Sequence, residues 1–228
     1  MAKKTTRAEE NIQAVEEALS RTERFIEDHQ KPILTVIGVL VVIILAFFAF
    51  QRFYLYPKER TAQEEIFMAQ RYFDQDSLNL ALNGDGINPG FLDIIDDYNW
   101  TESANLAHYY AGIIYLKQGE YQAAINHLED FSTKEILVKA MAYGAIGDSY
   151  MQLDKTEKAT EFYKKAANAS ENELTAPAFL MKAGWAYEVL GDYNKAVGMY
   201  KQIKDKFPRS QEAREIDKTI AHAKGMIK

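Results

Sequence analysis

The chain of 228 residues contains no cysteine. This absence excludes a disulfide framework, thiolate metal sites, a cysteine nucleophile and lipid attachment through cysteine. Positive charge is also short: 27 Lys and Arg face 33 Asp and Glu, for a net charge of -6. No general attraction to nucleic acid is expected from such a balance. The four histidines, His29, His108, His127 and His222, show no HExxH or other metal-ligand spacing. Neither GxSxG nor the phosphate-cradling GxxxxGKS/T occurs. Asp93, Asp96 and Asp97 are acidic neighbours that read as the solvated face of a helix. The sequence therefore predicts a non-enzymatic chain with no catalytic, cofactor-binding or metal residues. What it does have is 47% apolar and 26% charged residues, a globular balance, in a length that accommodates one domain plus something smaller.

The mean hydropathy of -0.33 averages over unlike parts. Residues 33–50 read ILTVIGVLVVIILAFFAF without a charge, and at 1.5 Å per residue they cover about 27 Å of a roughly 30 Å hydrocarbon slab. Phe53 and Tyr54 close the gap, and aromatic residues from Phe47 to Tyr56 gather at that end in the manner of an interfacial belt. The preceding 32 residues are too long for the leader of a cleavable signal peptide. An uncleaved transmembrane anchor over 33–54 is expected. Arg21, Arg24 and Lys31 on one side match Arg52, Lys58 and Arg60 on the other, and Lys3, Lys4 and Arg7 tip the count toward a cytoplasmic N-terminus. In the cytoplasmic leader, 1–32, Thr6 and Glu9 have capping-box spacing, and Ile12, Val15, Leu19, Thr22 and Ile26 recur at steps of three and four. That pattern predicts an amphipathic helix over 8–28, able either to dock or pair with a second copy, giving a homo-oligomer, or to stand as a charged extension.

Beyond the anchor the chain repeats itself. Gly112, Gly147 and Gly184 each open the same series: Tyr115, Tyr150 and Tyr187 three residues on; Gly119, Asp154 and Gly191 at seven; Tyr121, Thr156 and Tyr193 at nine. Ala124, Ala159 and Ala196 follow at twelve, Leu128, Tyr163 and Tyr200 at sixteen, and Pro208 closes the third unit. This series resembles the tetratricopeptide repeat family, whose unit is a helical hairpin. The resemblance implies an all-α fold, a right-handed superhelical solenoid, with three repeats over 105–208. Gly112 and Ala124 would sit where two helices cross closely, with Tyr115 and Leu128 beside them. Residues 55–104 form a juxtamembrane segment and degenerate first repeat, with helices expected over 61–73 and 90–98 and a turn-forming NGDGINPG between. Residues 209–228 form a capping region, whose helix over 210–224 would start on Ser210 and carry Ile216 and Ile220.

The resemblance also implies where partners bind. Inward positions of the first helix in each hairpin are Leu106, Tyr109, Ile113 and Leu116, then Met141, Asp148 and Met151, then Met181, Trp185, Glu188 and Val189. Methionine and aromatic residues suit an adaptable peptide groove, although several could equally be core. Family members that clamp a C-terminal carboxylate use lysine and asparagine where this chain has Tyr109, Ile113, Ala145, Ala178 and Lys182; only Lys182 fits, so no such clamp is expected. Asn99-Trp100-Thr101 and Asn168-Ala169-Ser170 have the form of glycosylation sequons. Charge is uneven as well: 61–104 carries one arginine against nine acids, a net -8, whereas 177–228 carries ten bases against six acids, a net +4.

The whole layout is similar to the YfgM-like family, the ancillary subunit of the bacterial SecYEG translocon. That similarity implies a single-pass protein of the bacterial inner membrane with its repeats in the periplasm. Implied partners are translocon subunits, a periplasmic prolyl-isomerase-like chaperone, unfolded exported chains, and the lipid bilayer through one helix. An envelope scaffold that binds one fixed folded partner, and a cytosol-facing receptor in the reverse orientation, are the alternatives.

Overall fold

The computed structural model describes residues 29–227, so the predicted leader helix over 8–28 lies outside the described residues. Two compact units divide the chain, Met1–Pro57 and Lys58–Lys228.

In the first unit, α1 spans Gln30–Phe50 and none of its residues is buried. Pro32 falls in its first turn, where the missing N–H leaves no bond unmade. The helix is long and apolar enough to cross a membrane, at about 31 Å for its 21 residues. A π-helical turn, Gln51–Leu55, follows it. Here Phe50 and Tyr54 stack at 5.1 Å, and the Arg52 guanidinium lies 5.5 Å from the Tyr56 ring.

The second unit is built of helices joined by turns and loops, with no strand among its described residues. It begins with α2 (Tyr56–Asp74), whose first two residues precede the boundary, and continues with α3 (Leu78–Asn83) and α4 (Phe91–Asp97). The helices expected over 61–73 and 90–98 are there, the first starting five residues earlier, but the short α3 was not expected. It forms because Asp76 takes a left-handed turn at φ 56°, after which Ala81 and Leu82 enter a core with Ile66, Ala69, Phe91 and Ile94. The glycine-rich loop that follows is held by one carboxylate. Asp85 accepts the N–H groups of Ile87 and Asn88, the Asn88 amide and the Tyr72 hydroxyl. These donors, the Asn88 backbone first, hold its carboxyl far below the usual carboxylate range.

Three hairpins come next: α5 (Glu102–Gln118) with α6 (Tyr121–Asp130), α7 (Ile136–Gln152) with α8 (Thr156–Ala169), and α9 (Ala176–Val189) with α10 (Tyr193–Lys206). Each packs on its predecessor to give a solenoid. The crossing expected at the repeat glycines is visible in atoms. A Cβ on Gly112 would lie 2.5 Å from Leu128, one on Gly147 would lie 2.7 Å from Tyr163, and one on Gly184 would lie 2.2 Å from Tyr200. Ala124, Ala159 and Ala196 are completely buried opposite. Only small residues allow the two backbones this approach. Every hairpin also turns the same way. Gly119, Asp154 and Gly191 have φ of 84°, 57° and 73°. In each turn the next N–H bonds back to the carbonyl of Tyr115, Tyr150 or Tyr187 at 2.9 Å, the closure of a Schellman-type helix end.

The cap differs from expectation. Instead of one helix over 210–224, a 3₁₀ turn at Glu212–Arg214 precedes α11 (Ile216–Gly225). Ser210 does cap, but its Oγ accepts the Ala213 N–H of the 3₁₀ turn at 3.2 Å. Glu215 leaves helical geometry at φ -118°, ψ 9°, and Ile216 and Ile220 then reach the core. Helix α5 stands between two clusters of buried side chains. Its Ala107, Ala111 and Ile114 belong to the core built with α2, α3 and α4, while its Tyr109, Ile113 and Leu116 pack on the core of the later helices.

Candidate interaction groove

The first helices of the hairpins place apolar residues across one cavity of about 510 Å³. Leu116 comes from α5, Met151 and Gln152 from α7, and Trp185 and Val189 from α9. Trp185 is 54% exposed and Val189 69%. Tyr121 and Tyr163, from the second helices, complete the lining.

Within this apolar wall sits one polar cluster. The Lys182 ammonium lies 2.8 Å from both carboxylate oxygens of Asp148, which also accepts the Tyr163 hydroxyl at 2.8 Å. Burial, reinforced by the Asp148 charge, pushes the Tyr163 hydroxyl far up its titration range, so it stays a donor. The lysine on α9 thereby ties two successive hairpins together through α7. Its charge is neutralised within the chain, which removes the one side chain that matched a carboxylate clamp.

Of the predicted inward residues, the fold brings Leu116, Asp148, Met151, Trp185 and Val189 to this cavity. Leu106 lines a separate cavity at the other end of α5. The others are placed elsewhere. Tyr109 packs its ring on Phe131 at 5.2 Å, and burial raises its hydroxyl pKa. Ile113 and Met181 pack against the core. Glu188 accepts the Tyr200 hydroxyl at 3.0 Å, and Met141 is exposed outside the cavity. Sequence reasoning missed Gln152, Tyr121 and the role of Tyr163. Tyr163 occupied the repeat's bulky position, and nothing in its periodicity indicated a polar partner. It also missed Gly144, where a Cβ would lie 2.2 Å from the Phe179 ring of the next hairpin.

The histidines have structural surroundings. His108 on α5 and His127 on α6 approach with their Nδ1 atoms 3.1 Å apart, and Tyr115 stacks on His127 at 5.3 Å. A hydrogen bond between two ring nitrogens requires one neutral acceptor, and burial lowers both pKa values. No group of three metal-ligating side chains is found among the described residues. The sequon hydroxyls are used internally. Thr101 Oγ1 donates to the Tyr98 carbonyl and accepts the Ala104 N–H at the start of α5, while the buried Ser170 Oγ lies 3.2 Å from Thr175 Oγ1.

Comparison with known families decides the nature of the hairpins. Tetratricopeptide repeat models match residues 106–134 and 178–210, and a second such model matches 140–173. Each of the three hairpins is thus matched by a tetratricopeptide repeat model. A crystal structure of nearly identical TPR-like repeats from Podosopora anserina, named after kinesin light chain, superposes with a TM-score of 0.51 at 14% identity. The alignment covers 74% of this chain and 87% of that one, and shows a shared fold. No curated protein matches the chain. Tetratricopeptide repeats imply a protein-interaction module with protein partners.

Proposed function

We propose that the chain is a membrane-anchored, non-enzymatic adaptor or holdase for exported proteins, associated with the bacterial translocon. Its anchor is α1, its N-terminus is cytoplasmic and its repeats are periplasmic. The observation that carries this reading is the cavity across the three inner helices, where Trp185 and Val189 stand exposed beside Leu116 and Met151. Such a surface loses water on contact with any apolar side chain, a gain of about 25 cal/mol per Å² buried. It asks for little else, which suits clients of varied sequence. Purification of the full chain through its intact anchor tests the assignment. Recovery of translocon subunits together with a periplasmic chaperone supports it, and recovery of neither sinks it. Protease protection of the repeats in sealed inner-membrane vesicles tests the orientation. If Trp185→Ala leaves binding of one folded partner intact and no unfolded chain is bound, the scaffold reading takes its place.

A further inference from the structure

Two cavities lined by the first helices of the hairpins, near opposite ends of α5 and α7, differ in charge. At the Trp185 end the only charged groups, Asp148 and Lys182, cancel each other. At the opposite end a cavity of about 650 Å³ pairs the apolar side chains of Leu106, Phe131 and Val138 with Glu102 and Glu135, against one lysine, Lys134. A smaller cavity of about 320 Å³ adjoins it, shares Glu102, and adds Asp130 and the exposed Trp100. Glu102, Asp130 and Glu135 make no ion pair among the described residues. The preceding segment, 61–101, adds to the same sign with eight acids against one arginine, a net -7.

Spacing and polarity then select an occupant. Glu135, the N-cap of α7, and Met151, in its last turn, are sixteen residues apart, so these two anchor points are about 24 Å apart at 1.5 Å per residue. An extended chain rises about 3.3 Å per residue and covers that distance in about seven residues. The neutral end also presents polar atoms, the Gln152 amide and the partly exposed Asp148 carboxylate. An extended strand has free N–H and C=O groups for them, whereas a helix has already satisfied its own.

Resting on the interaction reading given above, we infer that the face takes an unfolded, extended segment in a fixed register. A basic side chain sits in the cavity lined by Glu102 and Glu135, and a bulky apolar side chain about seven residues away sits against Met151 and Trp185. Charge complementarity sets the register, and apolar burial supplies most of the affinity.

The test uses the full chain in detergent and a dye-labelled peptide carrying two arginines and, about seven residues on, two leucines, followed by fluorescence anisotropy. Glu102→Gln combined with Glu135→Gln should weaken this peptide about tenfold at low salt, and much less at high salt. The same pair should not change binding of a peptide with serines for the arginines. Exchange of arginine for glutamate, or a shift of the arginines next to the leucines, should weaken binding to the unaltered protein. The inference is overturned if the glutamate peptide binds as well as the arginine peptide, or if the double variant binds the arginine peptide as tightly as the unaltered protein does. Trp185→Ala separates this from the broader reading. Should it weaken every peptide while charge and spacing do nothing, the groove stands and the register falls. Should it weaken none, the groove reading itself fails. Both substituted regions are solvent-exposed, and unchanged thermal unfolding checks that the variants fold.

Discussion

The three hairpins and the unit that precedes them are both helical, yet they are fastened by different means. In the hairpins a glycine on one helix receives a large side chain from the other, and the same contact recurs at Gly112, Gly147 and Gly184. In the preceding segment the helices α2, α3 and α4 contain no glycine; an apolar core around Phe91 and Ile94 and polar contacts distant in sequence do the fastening. Glu59 on α2 accepts the N–H groups of Glu102 and Ser103 and the Ser103 hydroxyl, at 2.7, 3.3 and 2.8 Å. It thus caps α5 from more than forty residues away. The difference teaches that a repeated contact leaves a period in the sequence, while a single long-range bond leaves none.

The largest effect should come from breaking the crossing itself. Gly184→Ala would drive a methyl into Tyr200, which is fully buried and hydrogen-bonded to Glu188, at an expected cost of about 3 kcal/mol. Gly112→Ala meets the more adaptable Leu128 and should cost about half as much. Urea unfolding of the two variants in parallel measures the ratio, and equal losses would mean that the aromatic ring is not the rigid element. Next in size, Glu59→Ala should remove about 1 to 2 kcal/mol through loss of the cap. Hydrogen exchange should quicken at residues 102–104 and leave the crossing at Gly184 unchanged.

A gain of about 1 kcal/mol is expected from Asp154→Gly, which relieves the left-handed φ of 57° in the middle hairpin. A rise in melting temperature would report it, whereas no change would show that the aspartate is already comfortable there.

The smallest effect concerns pH. Burial lowers the pKa of both His108 and His127 below the ordinary 6.5, so the unfolded chain binds protons more readily than the folded one in that range. The contribution of the pair is present above about pH 6.5 and is lost as pH falls from there toward the folded values. Asp130 near both rings and Asp96 near His127 oppose the shift and keep it modest. The urea midpoint should decline between about pH 7 and 5.5, and His127→Gln should flatten that slope. An unaltered slope would exclude the pair as its source.

Most of the solenoid was legible because its periodic residues are the ones in contact. Tyr115, Tyr150 and Tyr187 supply the carbonyls that close each turn, and Asp154 substitutes for glycine with the same backbone. The groove was legible only in part. Periodicity places Leu116, Met151 and Trp185 on the inner helices, but it cannot distinguish a side chain facing the cavity from one such as Ile113 or Met181 that packs inward a fraction of a turn away. The polar cluster was less visible still, because Lys182, Asp148 and Tyr163 come from three different helices. Helix α3 and the 3₁₀ turn of the cap depended on single backbone turns, at Asp76 and Glu215, which local composition does not encode.

The two-sided burial of α5 has a consequence for how the molecule comes apart. A linear array can in principle lose its ends one unit at a time, since each repeat contacts only its neighbours. Here the helix that opens the first tetratricopeptide repeat is also a wall of the preceding core. Detaching α2 to α4 strips one side of that helix while its other side still holds Ile125 and Leu128 from the next layer. Fraying from that end therefore exposes a half-covered helix instead of a finished surface. Unfolding of the two regions should accordingly be coupled, with α5 as the shared element.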